Sequence, residues 1–543
     1  MPTAVPKARP GPPSEHPSGP PSEPSPQPGA GAGAGAGLGA QSIKTKIGFG
    51  VCIATILLAV IDTNIVSAAT VPIVRDLDPA HGINSIAWLI SAYALAATAA
   101  LPLYGKLCDT LGAKRVFLAA VVTFLIGSTL CGAAQSMAQL IGARALQGIG
   151  GGGLMSVTMV VLAQLKGPQD DRTDSGNDTS GKDGDDSKDS TPAKPGKGGS
   201  VGGLVAGAGM AIGPWLGGLL SDHANWRWIF YVNLPLGLAV VVAGALCLQL
   251  PANPRRHRID YLGAGLAAVF STALLLVTEW AGKDYAWTSP TILGLIAATV
   301  ASLVLFLRRQ ATAAEPILPL SLFRVPEIRY GFLIQGLVGV AMMGSMVYVL
   351  IYLQVARGLS SSDAGLYLIF MALGMTVIGL LSDRLTAAGW SARAFVLSGS
   401  FLVTTACALL FATTGPDTNL WLIRAELLLM GLGFGQLIGQ LIQLVQATAP
   451  PHQLGVATTG TRFFQTLGSS LGAALFGTLL TRLYESQGPG GSTSAIARLT
   501  GTEHTEAIRA FTDSIDLVFL GAAAVMLLAL LAATRLPTAK QVA

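Results

Sequence analysis

Long apolar runs separated by short polar loops recur along this sequence. Each supplies roughly 20 residues with few charges, the length a helix needs to cross a hydrocarbon core of ~30 Å. Fourteen such runs are read, centred on Ile47–Ala68, Ile86–Leu107, Val116–Ala134, Leu140–Leu165, Val201–Leu220, Trp228–Leu250, Ile259–Glu279, Ile292–Leu307, Tyr330–Leu353, Gly365–Leu381, Ala394–Thr414, Trp421–Ala447, Phe463–Leu483 and Leu517–Thr534. The pattern predicts an all-α polytopic membrane protein with fourteen transmembrane helices.

Composition agrees, since the 543 residues are 51% hydrophobic and only 12% charged, where a soluble domain carries about a quarter charged residues. The basic residues gather in alternate loops: Lys44 and Lys46, Lys114 and Arg115, Arg255, Arg256 and Arg258, Arg308, Arg309, Arg324 and Arg329, then Arg384 and Arg393. The positive-inside bias then places these loops and both termini in the cytoplasm of a cell-membrane protein. The net charge of +5 is a consequence of that topology, and no nucleic-acid partner is expected.

Two segments fall outside the pattern. Residues 1–42 are rich in Pro, Gly, Ala and Ser and are expected to form a disordered cytoplasmic tail, with no apolar stretch beside a basic start that would mark a signal peptide. Residues 167–199 form a polar insertion between the fourth and fifth spans, expected to be a solvated linker. The five cysteines lie in or beside spans without CxxC or histidine at ligand spacing, so no metal site is expected. No phosphate-binding loop, nucleophile elbow or paired catalytic carboxylates appear. The chain is expected to be no enzyme, to need no cofactor and to draw on an ion gradient.

Ionisable residues inside spans are the candidates for using such a gradient, because a charge in hydrocarbon is costly and faces a cavity or a partner. Asp62 and Arg144 both fall roughly 6–9 Å inside the outer interface at 1.5 Å rise per residue, so they can meet. Burial favours a neutral carboxyl and a neighbouring guanidinium favours a charged one, so movement of the arginine can load or release a proton. A static pair that fixes helix packing is the alternative. In the fifth span Gly209, Gly213 and Gly217 recur every four residues beside Pro214 and Gly218, leaving a face bare for close helix approach. Between the second and third spans, YGKLCDTLGAKRVF offers Gly105 and Gly112 for a tight turn, Asp109 to cap a helix, and Lys114 and Arg115. A weaker copy, GLLSDRLTAAG with Asp383 and Arg384, lies between the tenth and eleventh spans. Span twelve carries Arg424 and Glu426, then Gln436, Gln440 and Gln443 near one face. That stripe is either a wall of the substrate cavity or a set of interhelical hydrogen bonds.

Several of these stretches resemble one family. IDTNIVSAATVPIV around Asp62 is similar to the first-span motif of the fourteen-span drug:proton antiporters of the major facilitator superfamily, with Asn64 in place of the usual Thr and one extra residue before Pro72. ARALQGIGGGGLMS resembles their fourth-span motif, GMAIGPWLGG their fifth-span signature, and WRWIFYVNLP the start of their sixth span. The loop with Asp109 resembles the superfamily's cytoplasmic gate motif, with Thr110 and Ala113 at positions that are usually basic. The resemblance implies the major facilitator fold: a six-helix half (43–250), two extra helices with linkers (251–328), a second six-helix half (329–536) and a short cytoplasmic tail (537–543). It implies a monomeric, proton-coupled exporter of amphipathic or cationic small molecules, whose partners are substrate, protons and the bilayer. A dedicated exporter of one metabolite, a proton symporter and a non-transporting sensor are the competing expectations.

The insertion supplies a test. Deleting Thr173–Lys194 is expected to leave transport close to wild type, because shortening a polar loop changes closure entropy only logarithmically; loss of flux at normal surface expression would give the segment a functional role.

Overall fold

The computed structural model describes residues 33–68, 70–77, 86–166, 213, 216–217, 219–220, 225–248, 250, 260–282, 285–487 and 501–537. The chain divides into a short unit, Met1–Ile43, and the main body, Lys44–Ala543. Its helices are α1 (Gly33–Ala68), α2 (Thr70–Leu77), α3 (Ile86–Leu111), α4 (Ala113–Ala133), α5 (Met137–Lys166), α6 (Trp228–Tyr231), α7 (Asn233–Cys247), α8 (Tyr261–Trp280), α9 (Pro290–Thr312), α10 (Pro326–Val355), α11 (Ser361–Ala387), α12 (Ala392–Thr413), α13 (Leu420–Thr448), α14 (Leu454–Gln487) and α15 (Gly501–Thr534). Among the described residues there is no strand. Among the described residues, twelve helices are long and apolar enough to cross a membrane. The expected second span is the 26-residue helix α3, and the expected fifth span lies mostly outside the described residues. So do residues 1–32 of the expected tail and the 167–199 insertion, while α1 starts inside the Gly-Ala tract assigned to that tail.

The helices start where side chains can satisfy their first backbone donors. Asp260, Ser289, Ser360, Ser391 and Asn419 each accept a hydrogen bond from an N–H in the first turn of α8, α9, α11, α12 and α13, as free helix ends require. Pro290 and Pro326 begin α9 and α10, where no N–H is missed. Large apolar side chains face outward: Leu246 is 72% exposed and Leu528 57%. An apolar exterior on this scale suits lipid rather than water.

Inside, six apolar clusters form among the described residues, two of them large. One joins α10–α15 around Tyr352, Phe434, Phe476 and Phe519; the other joins α1, α3, α4, α5 and α7 around Phe117, Phe124 and Val157. α3 and α14 pack against each other between them, and α8 lies against both, with Phe270 and Leu274 covering Leu101, Phe463 and Leu467. The α8–α9 pair is held together by Arg309 Nε donating to Asp260 Oδ1 at 3.0 Å. It is fixed to the α3 side by a Trp88–Trp280 edge contact at 5.6 Å and, towards the other end of α3, by a 3.5 Å Lys106–Glu315 ion pair.

Close helix approach depends on α5. In its GIGGGG run, a Cβ on Gly148 or Gly152 would collide with the α3 backbone at Tyr93 and Ala97, and one on Gly150 with α4 at Phe124. Gly142, on the same helix, has nothing within 4 Å of a built Cβ. Gly148→Ala is therefore expected to lower the unfolding temperature of the detergent-solubilised protein. Gly142→Ala should leave it unchanged or raise it, by roughly 0.5–1 kcal/mol of recovered helix propensity. Equal effects of the two would remove close α3–α5 approach as the reason for the glycines.

Candidate functional site

Asp62 sits two turns from the end of α1, and the fold surrounds it with donors. Arg144 and Gln147 lie three residues apart on α5 and so share a face; Ser128 comes from α4, and Asn233 is the first residue of α7. Gln147 Nε2 and Asn233 Nδ2 each donate to Asp62 Oδ1 at 2.8 Å, and Arg144 Nη1 to Oδ2 at 3.3 Å. Arg144 also donates to Gln147 Oε1 at 2.7 Å and, through Nε, to the Leu89 carbonyl at 3.3 Å, with its plane 4.4 Å from the Tyr93 ring centroid. Ser128 Oγ accepts from Gln147 and Asn233 and donates to the Phe230 carbonyl at 2.9 Å. All five side chains are buried. Removing one member of a buried charged network leaves its partners unpaired, which is costly in low dielectric.

A cavity of about 300 Å³ opens beside this network, lined by Thr63 and Val66 of α1, Tyr93, Ala97, Thr98 and Leu101 of α3, Arg144, Gly151, Gly152 and Met155 of α5, and Arg462 and Thr466 of α14. It is thus walled by helices from both cores. Arg144 belongs to both the cavity wall and the Asp62 network.

Towards the basic end, Asp109 reaches from the end of α3 to the start of α14. Its carboxylate accepts from the Gly455 N–H at 2.8 Å and the Val456 N–H at 3.0 Å, a cap across the two cores. Gly105 lets the helices meet here, since a Cβ would collide with Thr459 and Val456. Gln446 adds a second link by donating to the Met159 carbonyl at 3.3 Å. Gly112 adopts φ 88°, the left-handed turn between α3 and α4; Gly389, after α11, does the same at φ 93°. Lys114 Nζ donates to the Ala245 carbonyl at 2.8 Å, while Arg115 and Arg384 are exposed and Asp383 is helical. At the opposite end, Asp76 of α2 accepts from Trp226 Nε1 at 2.9 Å and Arg227 Nη1 at 2.7 Å, contacts that hold its carboxyl below the usual range.

The other expected residues lie elsewhere. Gly213 and Gly217 are helical and buried; Gly209, Pro214 and Gly218 lie outside the described residues. Arg424 stacks on Trp421, Tyr367 and Phe370, Glu426 accepts from Thr413 at 2.7 Å, and Gln436 accepts from Ser398 of α12. Gln440 and Gln443 are half-buried. None of these five is among the described residues lining the cavity. Four side chains of the site escaped the sequence reading: Gln147, Ser128, Asn233 and Arg462. Gln147 follows Arg144 at helical spacing, which was a usable signal, and Arg462 is an arginine inside a span; Ser128 and Asn233 carried none.

Among the described residues, helices long and apolar enough to cross a membrane, and a cavity between two cores with Arg144 on its wall, have the form of a membrane transporter. The profile of the Major Facilitator Superfamily matches residues 51–473, and the chain belongs to that superfamily, whose members are transporters rather than enzymes. It is 32% identical over 495 residues to the uncharacterized MFS-type transporter Rv1877 of Mycobacterium tuberculosis, covering 89% of this chain and 68% of that protein. It is also 32% identical over 440 residues to the multidrug transporter protein MdtP of Bacillus subtilis, covering 81% and 76%. Among solved structures, the proton:xylose symporter XylE superposes with a TM-score of 0.56 at 13% identity, over 90% of this chain and 96% of that one; this likeness shows the shared fold.

Because Gln147 and Asn233 donate to the same carboxylate oxygen, their losses should not add. Gln147→Leu and Asn233→Leu are each expected to cost roughly 1–3 kcal/mol of unfolding free energy, and the double variant less than the sum. Strict additivity would show that the two act independently.

Proposed function

We propose that this transporter is a proton-coupled antiporter of the fourteen-span drug-exporter branch, placed in the cell membrane as a monomer with both termini cytoplasmic, and that it exports amphipathic small molecules by alternating access. The observation that carries this reading is the position of Arg144, which pairs with buried Asp62 at 3.3 Å and also lines the cavity. A buried carboxylate deprived of its cation takes up a proton instead. Protonation of Asp62 therefore releases Arg144, and the change in pairing is felt at the cavity wall.

The Asp109 cap supports the second element of alternating access, a closure between the two halves at the basic end. In this reading the cap latches that end shut while the cavity serves the opposite face, and breaking it opens the cavity inward. Proton and substrate then favour opposite-facing states. The multidrug name of the Bacillus relative agrees with export, and the α8–α9 pair between the two cores agrees with the fourteen-span branch.

Asp62→Asn keeps the shape but cannot titrate. It is expected to fold, insert and bind substrate while losing pH-gradient-driven flux in everted vesicles or proteoliposomes. Undiminished gradient-driven flux in this variant would remove Asp62 from coupling.

A further inference from the structure

Arg462 lines the cavity with no anionic or aromatic partner among the described residues, whereas Arg357 and Arg393, also half-buried, donate to the Pro416 and Thr534 carbonyls away from it, and Arg227 pairs with Asp76. Arg144 has Asp62, Arg309 has Asp260, and Arg424 is sandwiched by aromatic rings. Arg462 lies within α14 and on the cavity wall. Its Nη1 donates to Gln465 Oε1 at 2.7 Å, one turn along the same helix, and its Nη2 lies 3.4 Å from Met155 Sδ across the interface. A thioether is a weak acceptor and a guanidinium carries five N–H donors. Among the described residues no carboxylate forms an ion pair with it. A cation in this setting is costly unless an anion joins it.

The rest of the cavity shares that bias. Its described lining includes two guanidinium groups and no carboxylate, because Asp62 is fully buried behind Arg144. The remaining wall is apolar at Val66, Leu101 and Met155, with hydroxyls at Thr63, Thr98 and Thr466. An apolar pocket with a few placed polar groups selects by its polar groups. We propose that the substrates are acidic amphipathic molecules, with a carboxylate, sulfonate or phenolate bound by Arg462 and an apolar ring body against α3 and α5. The inference rests on the cavity being the substrate site, and it replaces the cationic class expected from the sequence. Export of an anion in exchange for an entering proton moves two charges in the direction favoured by an inside-negative membrane.

The test uses two dyes built on one xanthene ring system, anionic fluorescein and cationic rhodamine 123, and reads their binding to the purified full chain by fluorescence anisotropy. Wild type is expected to bind fluorescein more tightly. Arg462→Gln should weaken fluorescein roughly tenfold or more, as loss of a charge-assisted hydrogen bond implies, with rhodamine 123 unchanged or improved; Arg462→Lys should keep most of the fluorescein affinity. If Arg462→Gln does not fold, Met155→Glu places a carboxylate against Arg462 from the other core and should produce the same loss. Rhodamine 123 binding as tight as fluorescein in wild type, or fluorescein affinity untouched by neutralising Arg462, would overturn the proposal. Proteoliposome flux separates it from the antiport reading. Fluorescein bound through Arg462 but not driven by a pH gradient supports this site and sinks antiport, whereas gradient-driven rhodamine 123 flux without Arg462-dependent fluorescein binding sinks this site and leaves antiport standing.

Discussion

A carboxylate inside an apolar bundle must collect donors or take up a proton, and much of the candidate site is arranged around that requirement at Asp62. Three donors from two helices reach it, and a fourth helix supplies the serine that orients two of them. To bring α1, α4, α5 and α7 to one point, the backbones must approach closely. Gly127 lets α4 meet α5 at Gln147, and the glycines from 148 to 152 let α5 meet α3 and α4. Packing and charge are thus one problem here: bulk at the glycines would separate the donors, and loss of the donors would leave a charge that the packing has sealed from water.

The same economy governs the contact between halves. Asp109 satisfies the first N–H groups of α14, which would otherwise face an apolar interface unpaired. Its charge is held by a helix end rather than by a side-chain cation, so the contact can break without stranding a buried arginine. A latch of this kind costs little to open. By contrast, the Asp62 network is bonded within one core; in the coupling proposed above, what changes there is a proton and an arginine's partner. The α8–α9 pair is tied to α3 at both ends and rests on α14 through aromatic and aliphatic contacts, an asymmetry that suits a lid carried by one half and sliding on the other.

Much of the fold was legible because hydrophobic period and loop charge are strong signals in a membrane protein. The apolar runs became helices in every described case, and Gly112 takes up the tight turn expected of it, whereas Gly105, expected to share that turn, lies within α3 and serves close approach to α14. That Asp62 and Arg144 could meet followed from their shared depth, since helix rise fixes position along the membrane normal. Rotation about the helix axis was not legible. It decides whether Arg424, Glu426 and the glutamines of α13 face the cavity or their neighbours, and polar residues at similar spacing satisfy either arrangement. Arg462 was overlooked for a related reason: the apolar run is read from Phe463, one residue beyond it, while α14 begins at Leu454. Ser128 and Asn233 are neutral and unremarkable in sequence, and acquire meaning only through the carboxylate they orient.

In the proposed coupling, the charge on Asp62 sets the balance between states latched and unlatched at the basic end. The direct measurement is the distance between spin labels on Arg115→Cys and Arg384→Cys, two exposed positions on opposite halves, recorded at neutral pH by pulsed electron resonance. With Asp62→Asn as the permanently neutral form, the label distances are expected to redistribute relative to the Asp62 protein. Identical distributions in the two proteins would contradict it.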